Sequence, residues 1–317
     1  TGFLKHLRPD GRFHPSYMLF AGEYLNKGDS GTVTGRLSAK DPAIQTIPKR
    51  SALAKDLRKC FVAPPGKAVI EVDYSQGELR VVACVANETT MINAYKHGLD
   101  LHAVTGARLG GYELDHFLGL KDGDSTQQAI FKRLRTNAKA ANFGLLYGMG
   151  WRGFKEYARV SYGVSLCDEE AQQARSAFFD TYPGLPAYHS TQRNAVRAHK
   201  AVWSPLGRVR HLPLIDSPDQ DARARSERQA INSPIQSCLS DLMLFAIVML
   251  DREFGDDLEI VAMIHDALVA YVPEDAAEDW AKRVSGVMLE LPLAETFGWE
   301  PQLPFPVDYE IGGSLAM

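Results

Sequence analysis

The chain has 317 residues, of which 45% are hydrophobic and 23% charged, so it can bury a large core in one domain or two smaller ones, and it is not a disordered chain. Four scattered cysteines without a C-x-x-C pair exclude a disulfide scaffold and a zinc site, and they fit reduced thiols in the cytosol. The net charge of −4 argues at first against nucleic acid, but residues 131 to 159 hold seven basic residues and one acid, which indicates an anionic ligand at one place.

No membrane-spanning or secreted segment is expected. No signal peptide opens the chain, and the longest apolar run, Leu242 to Leu250, is shorter than the roughly 20 residues that a helix needs to cross a bilayer. We therefore expect a cytoplasmic protein, in a bacterial cell or a phage-infected host, with no membrane partner.

The first half of the chain predicts a strand and then a helical block. The segment up to about Cys60 is rich in turn residues, and from Lys67 the run KAVIEVDYS predicts a strand, followed by a helix over GELRVVACVANE. Residues 87 to 200 are mainly helical in pattern, with a loop near Leu118 to Asp124.

The second half of the chain returns to strands. SPLGRVRHLP breaks the helical pattern, and a long apolar helix is predicted from about Arg223 to Phe254. DLEIVAMI and ALVAYV predict two strands around a tight turn at His265-Asp266, and a last helix is predicted from Ala276 to about Glu290. This order predicts an α+β protein in which a helical insertion separates two parts of one sheet.

Two carboxylates end apolar strands, where they are costly to bury unless they are paired or bind a metal. Asp73 closes the run VIEVD, and Asp266 lies at the tip of the predicted hairpin. Presented by neighbouring strands, the two side chains make a hard-oxygen site suited to Mg²⁺. Simpler explanations stay open at this point: Asp73 caps the next helix, Asp266 is a turn residue, and His265 is a hydrogen-bonded structural histidine.

A stripe of cations and aromatic rings is predicted in RLRTNAKAANFGLLYGMG. Arg135, Lys139, Phe143 and Tyr147 are four residues apart, so on a helix they lie along one face, with the cations first. This polarity matches a nucleoside triphosphate, whose phosphates bind cations and whose base stacks on a ring. The alternative is an amphipathic helix with a solvated basic end and an aromatic core end.

Polar side chains also occur where a buried core is expected. TGRLS puts Arg36 in a turn-rich loop, and RQAINSPIQSCLSD places Arg228, Asn232 and Gln236 four residues apart on one helical face. Such side chains are good donors to base edges and sugars. The alternative is a polar stripe that faces water.

Together these segments resemble the polymerase domain of family A DNA polymerases, the group of bacterial DNA polymerase I and related phage replicative enzymes. DYSQGELR and IHDALV resemble its two carboxylate motifs, RTNAKAANFGLLYG resembles its nucleotide-binding helix, and TGRLSAKDPAIQTIP resembles TGRLSS-x-x-P-N-L-Q-N-I-P. GLDLHAVTG, FFDTYPG, GRVRHLP and ERQAINSPIQ fall at the family's positions between them. The similarity covers about residues 10 to 311.

The resemblance implies a right-hand polymerase palm, with an antiparallel sheet, a helical fingers insertion and a thumb that is largely absent. The implied domains are a first part of the palm with a remnant of the thumb base over residues 1–86, the fingers over 87–224, and a second part of the palm over 225–317. In the family a thumb, and often a 3′–5′ exonuclease, precedes these motifs. A separate thumb or exonuclease polypeptide is therefore a partner to consider, beside primer-template DNA.

The implied activity is template-dependent addition of deoxynucleotides to a primer 3′-hydroxyl by two-metal phosphoryl transfer. Asp73 and Asp266 would hold two Mg²⁺ ions, and Lys139 would join them as a catalytic residue. Glu78 would exclude a ribose 2′-hydroxyl. The deoxynucleoside triphosphate would be contacted by His102, Arg135, Lys139, Phe143, Tyr147, Glu78 and Gln76, and the DNA by Arg36, Arg228, Asn232, Gln236 and His265.

The chain departs from the family pattern at a few positions. Ala267 stands where the family usually has Glu, Gly77 replaces a bulky apolar residue, and Ala43 and Thr46 replace two asparagines. The first departure favours an alternative function, a catalytically weakened polymerase subunit that only binds nucleic acid.

Two observations oppose the alternatives. A decayed site has no reason to keep both carboxylates and the two cations of the stripe. An RNA polymerase or a reverse transcriptase on a similar palm is a second rival, but Glu78 and Phe143 favour deoxynucleotides.

Overall fold

The computed structural model describes residues 2–19, 31–48, 52–264 and 266–317. The α-helices, in chain order, are α1 Ala52–Arg58, α2 Gly77–Val85, α3 Thr89–Lys96, α4 Leu101–Gly110, α5 Leu114–Gly119, α6 Ser125–Gly144, α7 Trp151–Tyr162, α8 Asp168–Thr181, α9 Gly184–His199, α10 Gln220–Phe254, α11 Ala277–Leu289 and α12 Leu293–Phe297. The β-strands are β1 Ser16–Met18, β2 Ser38–Lys40, β3 Lys67–Tyr74, β4 Ala201–Trp203, β5 Val209–His211, β6 Glu259–Ile264, β7 Ala267–Pro273 and β8 Val307–Gly312.

The main sheet is antiparallel and has the strand order β6-β7-β3-β8. β6 and β7 form a hairpin in which Ile264 pairs with Ala267. This confirms the predicted hairpin, although His265 itself lies outside the described residues. Because β3 precedes the helical block while β6, β7 and β8 follow it, one sheet is built from both sides of an insertion, as predicted.

The two faces of β3 meet different surroundings, because alternate side chains of a strand point to opposite faces. Ala68, Ile70, Val72 and Tyr74 belong to the main core, to which α10 and α11 also contribute. Val69 belongs to a smaller cluster on the other face, and alternation places Asp73 on that second face.

A buried ion pair lies on the second face of β3. Arg58 of α1 donates from Nη2 to Glu71 Oε2 at 2.5 Å and from Nε to the carbonyl of Leu315 at 2.6 Å. Both charged side chains are almost fully buried, which is tolerated only when the charges are matched. The pair therefore ties α1 and the segment around Leu315 to β3, two residues before Asp73.

Helices α3 to α9 form the inserted block. α6 begins at a capping box, in which Asp124 Oδ1 accepts from the amide of Gln127 at 2.9 Å and Gln127 Oε1 accepts from the amide of Asp124 at 3.0 Å. α4 packs along α6, and α7 packs against both α6 and α8. Phe154 and Phe178 of the block share one continuous core with Ile70 of the sheet, so the block and the sheet are packed together.

Helix α10 is the long helix that the sequence predicts, and Asp219 caps its start. The span Gln220–Asp257 is long and apolar enough to cross a membrane by length and composition, but 61% of its most apolar window is buried inside the protein. A core helix passes the same test, and the buried residues of α10 lie mostly in the main core.

Several elements differ from the sequence expectation. Strand β8 is additional: its alternation is confined to six residues between Pro306 and Gly313, which is too short a signal to stand out. The hairpin of β4 and β5 occupies a segment that was expected only to interrupt helices. Helix α6 ends at Gly144 and a turn follows in which Gly148 has a φ of +77°, so Tyr147 lies beyond the helix that carries the rest of the predicted stripe.

The departure at Gly77 has a structural counterpart in α10. A Cβ at Gly77 would lie 2.6 Å from Leu239 Cδ1, closer than side chains approach in real structures. Leu239 is almost fully buried, and it therefore fills the space that a bulky residue at position 77 would need.

Gly77→Ile is expected to lower the free energy of unfolding by about 1–3 kcal/mol through overpacking, and Leu239→Ala to lower it by about 2–5 kcal/mol through a cavity. The double variant should lose at least about 1 kcal/mol less than the sum, because each change relieves the other. Urea unfolding of the four proteins gives the coupling. Strictly additive losses would contradict the contact between the two positions.

Candidate active site

The two predicted carboxylates lie at the ends of adjacent strands. Asp73 of β3 pairs directly with Ala267 of β7, and Asp266 is the residue before Ala267. The register therefore brings Asp73 and Asp266 together at one end of the sheet. The N-cap residue of α2 is Gln76, so the helix-capping explanation of Asp73 is not supported.

A row of paired residues crosses the sheet at this end, in the order Ile264, Ala267, Asp73 and Asp308. Directly paired residues of antiparallel strands face the same side, so Asp308 adds a carboxylate on the face of Asp73. Its Oδ2 accepts a hydrogen bond from the hydroxyl of Ser75. The sequence interpretation missed Asp308, and the short alternation in VDYEI is the signal that could have found it.

Arg36 links the carboxylate hairpin to helix α2. Its Nη2 donates to Glu78 Oε1 at 2.6 Å and to Asp266 Oδ2 at 3.1 Å. The hydroxyl of Tyr147 donates to Glu78 Oε2 at 2.5 Å, so both oxygens of Glu78 are engaged. Four segments that are distant in sequence thus form one partly buried network, which spacing arguments did not predict.

Burial and charge act on this network in opposite directions. Burial lowers the pKa of the Arg36 guanidinium, but the charges of Asp266 and Glu78 raise it by more, and the pKa stands above its ordinary value. For Tyr147, burial raises the pKa, and the carboxylate of Glu78 raises it further. Arg36 is therefore always a cation here, and Tyr147 is a neutral donor.

The loop that carries Arg36 lies against a second ion pair. Arg208 donates to Asp241 of α10 from Nε at 3.0 Å and from Nη2 at 2.5 Å. Gly35 has a φ of +84°, and a Cβ there would lie 2.5 Å from Arg208 Cζ, so only glycine allows this approach. Thr32 Oγ1 also donates to the carbonyl of Arg36 at 2.8 Å. The backbone at Arg36 is thus held in place.

On α6, Arg135 is held by the N-cap residue of α4. Arg135 Nε donates to Asp100 Oδ2 at 2.6 Å, and Asp100 Oδ1 accepts from the amide of His102 at 3.0 Å. One carboxylate therefore positions the cation of α6 beside the start of α4. The sequence interpretation did not include Asp100 in the site. The N-cap pattern of DLH, with an Asp directly before a helix, is the signal that could have found it.

His102 is oriented by a buried polar network. Asn142 Nδ2 donates to His102 Nδ1 at 2.9 Å, which leaves the ring proton on Nε2. Asn142 Oδ1 accepts from the hydroxyl of Thr105 at 2.8 Å, and Thr105 shares a 2.7 Å hydrogen bond with the hydroxyl of Tyr182. The sequence interpretation named His102 but missed these three partners.

The imidazole of His102 is neutral at physiological pH. Burial lowers its pKa to about 4; the charge of Asp100 opposes this shift, and the charges of Arg135 and Lys139 add to it. His102 is only 5% exposed, and its Nε2–H can act as a neutral donor and not as a cation.

The predicted stripe is therefore divided between two places. Arg135, Lys139 and Phe143 lie on α6, and the ring of Phe143 is 5.8 Å from the ring of His102. Tyr147 lies beyond the helix and joins Glu78. The amphipathic-helix alternative does not account for this arrangement, because Arg135 is paired with Asp100 and is not simply solvated.

Gln76 lies at the start of α2 with a left-handed backbone, φ 53°, and it is exposed. The hydroxyl of Tyr95 donates to its Oε1 at 3.1 Å. A left-handed φ is uncommon for residues other than glycine, and such positions cluster at functional sites. The structure thus presents Gln76 near Glu78 but shows a protein partner for its side chain.

The polar stripe of α10 does not simply face water. Arg228 is exposed, but Asn232 and Gln236 are partly buried. Within the described part of the chain, Asn232 Oδ1 is buried without a hydrogen-bond partner. A buried acceptor without a partner is costly, so this oxygen is available to accept a hydrogen bond from water or a ligand.

The carboxylates fit a cation that arrives with other ligands. No group of three His, Cys, Asp or Glu side chains that could hold a metal occurs among the described residues. Mg²⁺ is commonly held by one or two carboxylates, with water and substrate phosphates completing its shell. Asp73 and Asp266 match that donor set, and Arg36 already places a positive charge beside Asp266.

Comparison with known proteins gives a consistent result. Residues 2–316 match the model of DNA polymerase family A. DNA polymerase I of Pseudomonas aeruginosa is 34% identical over 296 residues, which covers 91% of this chain and 29% of the relative. DNA polymerase I of Deinococcus radiodurans is 33% identical over 297 residues, with 92% and 28% covered. The chain thus spans about three tenths of the length of these relatives.

A solved structure has the same architecture. It is described as the POL domain of Pol1 from M. smegmatis in complex with DNA primer-template and dNTP. The two structures match with a TM-score of 0.82 at 26% identity, over 99% of this chain and 50% of that chain. The likeness confirms the predicted α+β fold class.

Proposed function

This chain belongs to DNA polymerase family A, and from this premise we propose that it adds deoxynucleotides to a primer 3′-hydroxyl under the direction of a DNA template. The observation that carries the proposal is the pairing register that brings Asp73 and Asp266 together at one end of the sheet. The relatives support it through their name, DNA polymerase I, and the structural neighbour through its bound primer-template and dNTP.

The triphosphate would lie between the carboxylates and α6. When held by Asp73, Asp266 and triphosphate oxygens, two Mg²⁺ ions would supply the charge neutralisation and alignment that phosphoryl transfer needs. Arg135 and Lys139 bind the phosphates, and Asp100 holds Arg135 in position for this. His102 donates from Nε2 to a phosphate oxygen, a role supported by the neutral state of its ring.

The nucleoside would be contacted by side chains of α6, of the turn that follows it and of α2. Phe143 lies under the new base, and Tyr147 lies on the template side. Glu78 packs where a ribose 2′-hydroxyl would be, and its bond to Tyr147 supports this role because it restrains the carboxylate. Gln76 contacts the same nucleotide from the start of α2.

The primer-template would be contacted in the minor groove. Donors there check the shape of a base pair without reading its sequence, since correct pairs offer acceptors at similar places. Arg36, Arg228, Asn232 and Gln236 are assigned to this contact, and His265 to the primer end. The buried acceptor Asn232 Oδ1 supports the assignment, because guanine offers an amino donor in that groove.

The larger arrangement follows from the same proposal. Residues 1–86 and 225–317 are assigned to the palm and residues 87–224 to the fingers. A thumb, and any exonuclease, would come from polypeptide other than these residues. The proposed DNA synthesis would take place in the cytoplasm, as replication or repair requires.

A primer-extension assay with Mg²⁺ and one nucleotide at a time tests the proposal. Each template base should direct addition of its complementary deoxynucleotide alone, and a chelator should stop the reaction. Preference for ribonucleotides or for an RNA template would support an RNA polymerase or a reverse transcriptase. Tight duplex binding without any addition would support the weakened binding subunit.

Ala267 is the observation that favours the weakened subunit, and Ala267→Glu tests it. Ala267 is 4% exposed and pairs with Asp73, so a carboxylate there would lie on the metal face. If such a carboxylate only assists, the incorporation rate should change by about tenfold or less, or ~1.4 kcal/mol of barrier. Single-turnover rates measure this. A gain of many orders of magnitude would mean that the natural chain is nearly inactive.

A further inference from the structure

We propose that Arg36 is a resident cation that competes with the divalent metal at Asp266, so that duplex binding and metal binding are coupled through this one side chain. The inference rests on the proposed function, which supplies the metal and the duplex. Arg36 would have two states. In one its guanidinium contacts the minor groove of the duplex, and in the other it is bound to carboxylates of its own chain.

The contacts of Arg36 describe that second state. Nη2 alone bonds both Glu78 Oε1 and Asp266 Oδ2. Nε is buried without a hydrogen-bond partner among the residues that the structure describes. A guanidinium has five N–H donors in a fork and binds most strongly when the fork is used. The resting arrangement therefore leaves one buried donor unmatched, which a position against a base edge can satisfy.

Charge explains the competition. Two cations near one carboxylate repel each other, and burial strengthens that repulsion because the surroundings screen it poorly. Arg36 and Asp266 are only 30% and 24% exposed. A divalent ion at Asp266 is therefore disfavoured while Arg36 bonds Oδ2, and is favoured once Arg36 moves away.

The loop permits this movement in the side chain alone. Thr32 and the ion pair of Arg208 with Asp241 hold the backbone around Arg36, as described above. The side chain beyond Cβ has several rotatable bonds. A duplex that offers minor-groove acceptors would draw the guanidinium from Asp266 without unfolding the loop.

Thermodynamic linkage relates the two affinities, because the coupling between the metal and the duplex is reciprocal. If the duplex frees Asp266, then it must tighten metal binding by the same factor by which the metal tightens duplex binding. Removing Arg36 should abolish the coupling. It should also tighten metal binding in the absence of duplex, whereas loss of a merely structural contact would weaken it or leave it unchanged.

The experiment measures Mn²⁺ binding to the whole chain by electron paramagnetic resonance of the free ion, with and without a duplex whose primer ends in a dideoxynucleotide. Arg36→Gln should bind Mn²⁺ at least about threefold more tightly than the wild type without duplex. Since duplex phosphates also bind Mn²⁺, the two proteins are compared at equal saturation with duplex. The duplex should tighten Mn²⁺ binding severalfold more in the wild type than in Arg36→Gln.

Two further variants separate the explanations. Arg228→Gln, an exposed position on α10, should weaken duplex binding and leave Mn²⁺ binding to the free protein unchanged. Asp266→Asn should lose most of the Mn²⁺ binding. If it does not, the metal site of the proposed function is wrong. If Asp266→Asn loses the ion but Arg36→Gln binds it no more tightly than the wild type, only the role of Arg36 is overturned. Unfolding curves check that each variant is folded.

Discussion

Replacing Asp73 or Asp266 by Asn is expected to slow templated incorporation by at least about 10³-fold, equivalent to ~4 kcal/mol of barrier at ~1.4 kcal/mol per tenfold. The amide keeps the size of the side chain but removes the charge that binds a hard cation. Duplex affinity should remain, because neither residue is assigned to the DNA, and loss of the Asp266 charge should free Arg36 for it. Single-turnover incorporation and duplex titration measure the two effects.

Asp308→Asn is the matched control for these variants. Asp308 lies on the same face and pairs directly with Asp73, but it is exposed and its carboxylate is bonded to Ser75. The control should therefore lose far less activity than either metal variant. Near-normal rates in Asp73→Asn or Asp266→Asn would sink the metal assignment, and equal losses in all three variants would point to a general effect of charge.

Glu78→Ala should reduce discrimination against ribonucleotides on the order of 10- to 200-fold, the range expected when a small steric contact of ~1–3 kcal/mol is lost. Glu78 is held on both carboxylate oxygens, by Arg36 at 2.6 Å and by Tyr147 at 2.5 Å. The bond to Tyr147 does not depend on the position of Arg36, so Glu78 cannot easily move aside for an extra hydroxyl while that bond persists. The ratio of kcat/KM for deoxynucleotide over ribonucleotide measures the change.

Glu78→Gln separates volume from charge at this position. The amide fills the same space, so it should keep most of the discrimination even though it weakens the bond to Arg36. If both variants discriminate as the wild type does, Glu78 does not border the sugar. If both lose discrimination equally, the charge of Glu78 and not its volume is responsible.

The sequence predicts the parts of the site that lie on single elements. The apolar runs around Asp73 and around Asp266 predict two strand ends, and the observed register pairs Asp73 with the neighbour of Asp266. Spacing by four predicts that Arg135, Lys139 and Phe143 share α6. These predictions depend on local periodicity, which side-chain packing against the core enforces.

The rest of the site depends on contacts between distant segments. The bonds of Arg36 to Glu78 and Asp266 join residues 42 and 230 positions apart, and local patterns carry no information about them. Spacing by four also predicts Tyr147 on this helix, but α6 ends at Gly144 and the following residues form a turn. Gly77 likewise is explained only by Leu239, which lies more than 160 residues later.

The buried ion pair of Arg58 and Glu71 affects the electrostatic field around β3, the strand that carries Asp73. Two carboxylates lie two positions apart on one face of β3, a separation of about 6.6 Å. Arg58 cancels the charge of Glu71 inside the protein, so Glu71 adds little negative field to that face of β3. Glu71→Gln would leave a buried positive charge behind Asp73, and the field that draws cations to the end of the strand would weaken although no residue of the site had changed.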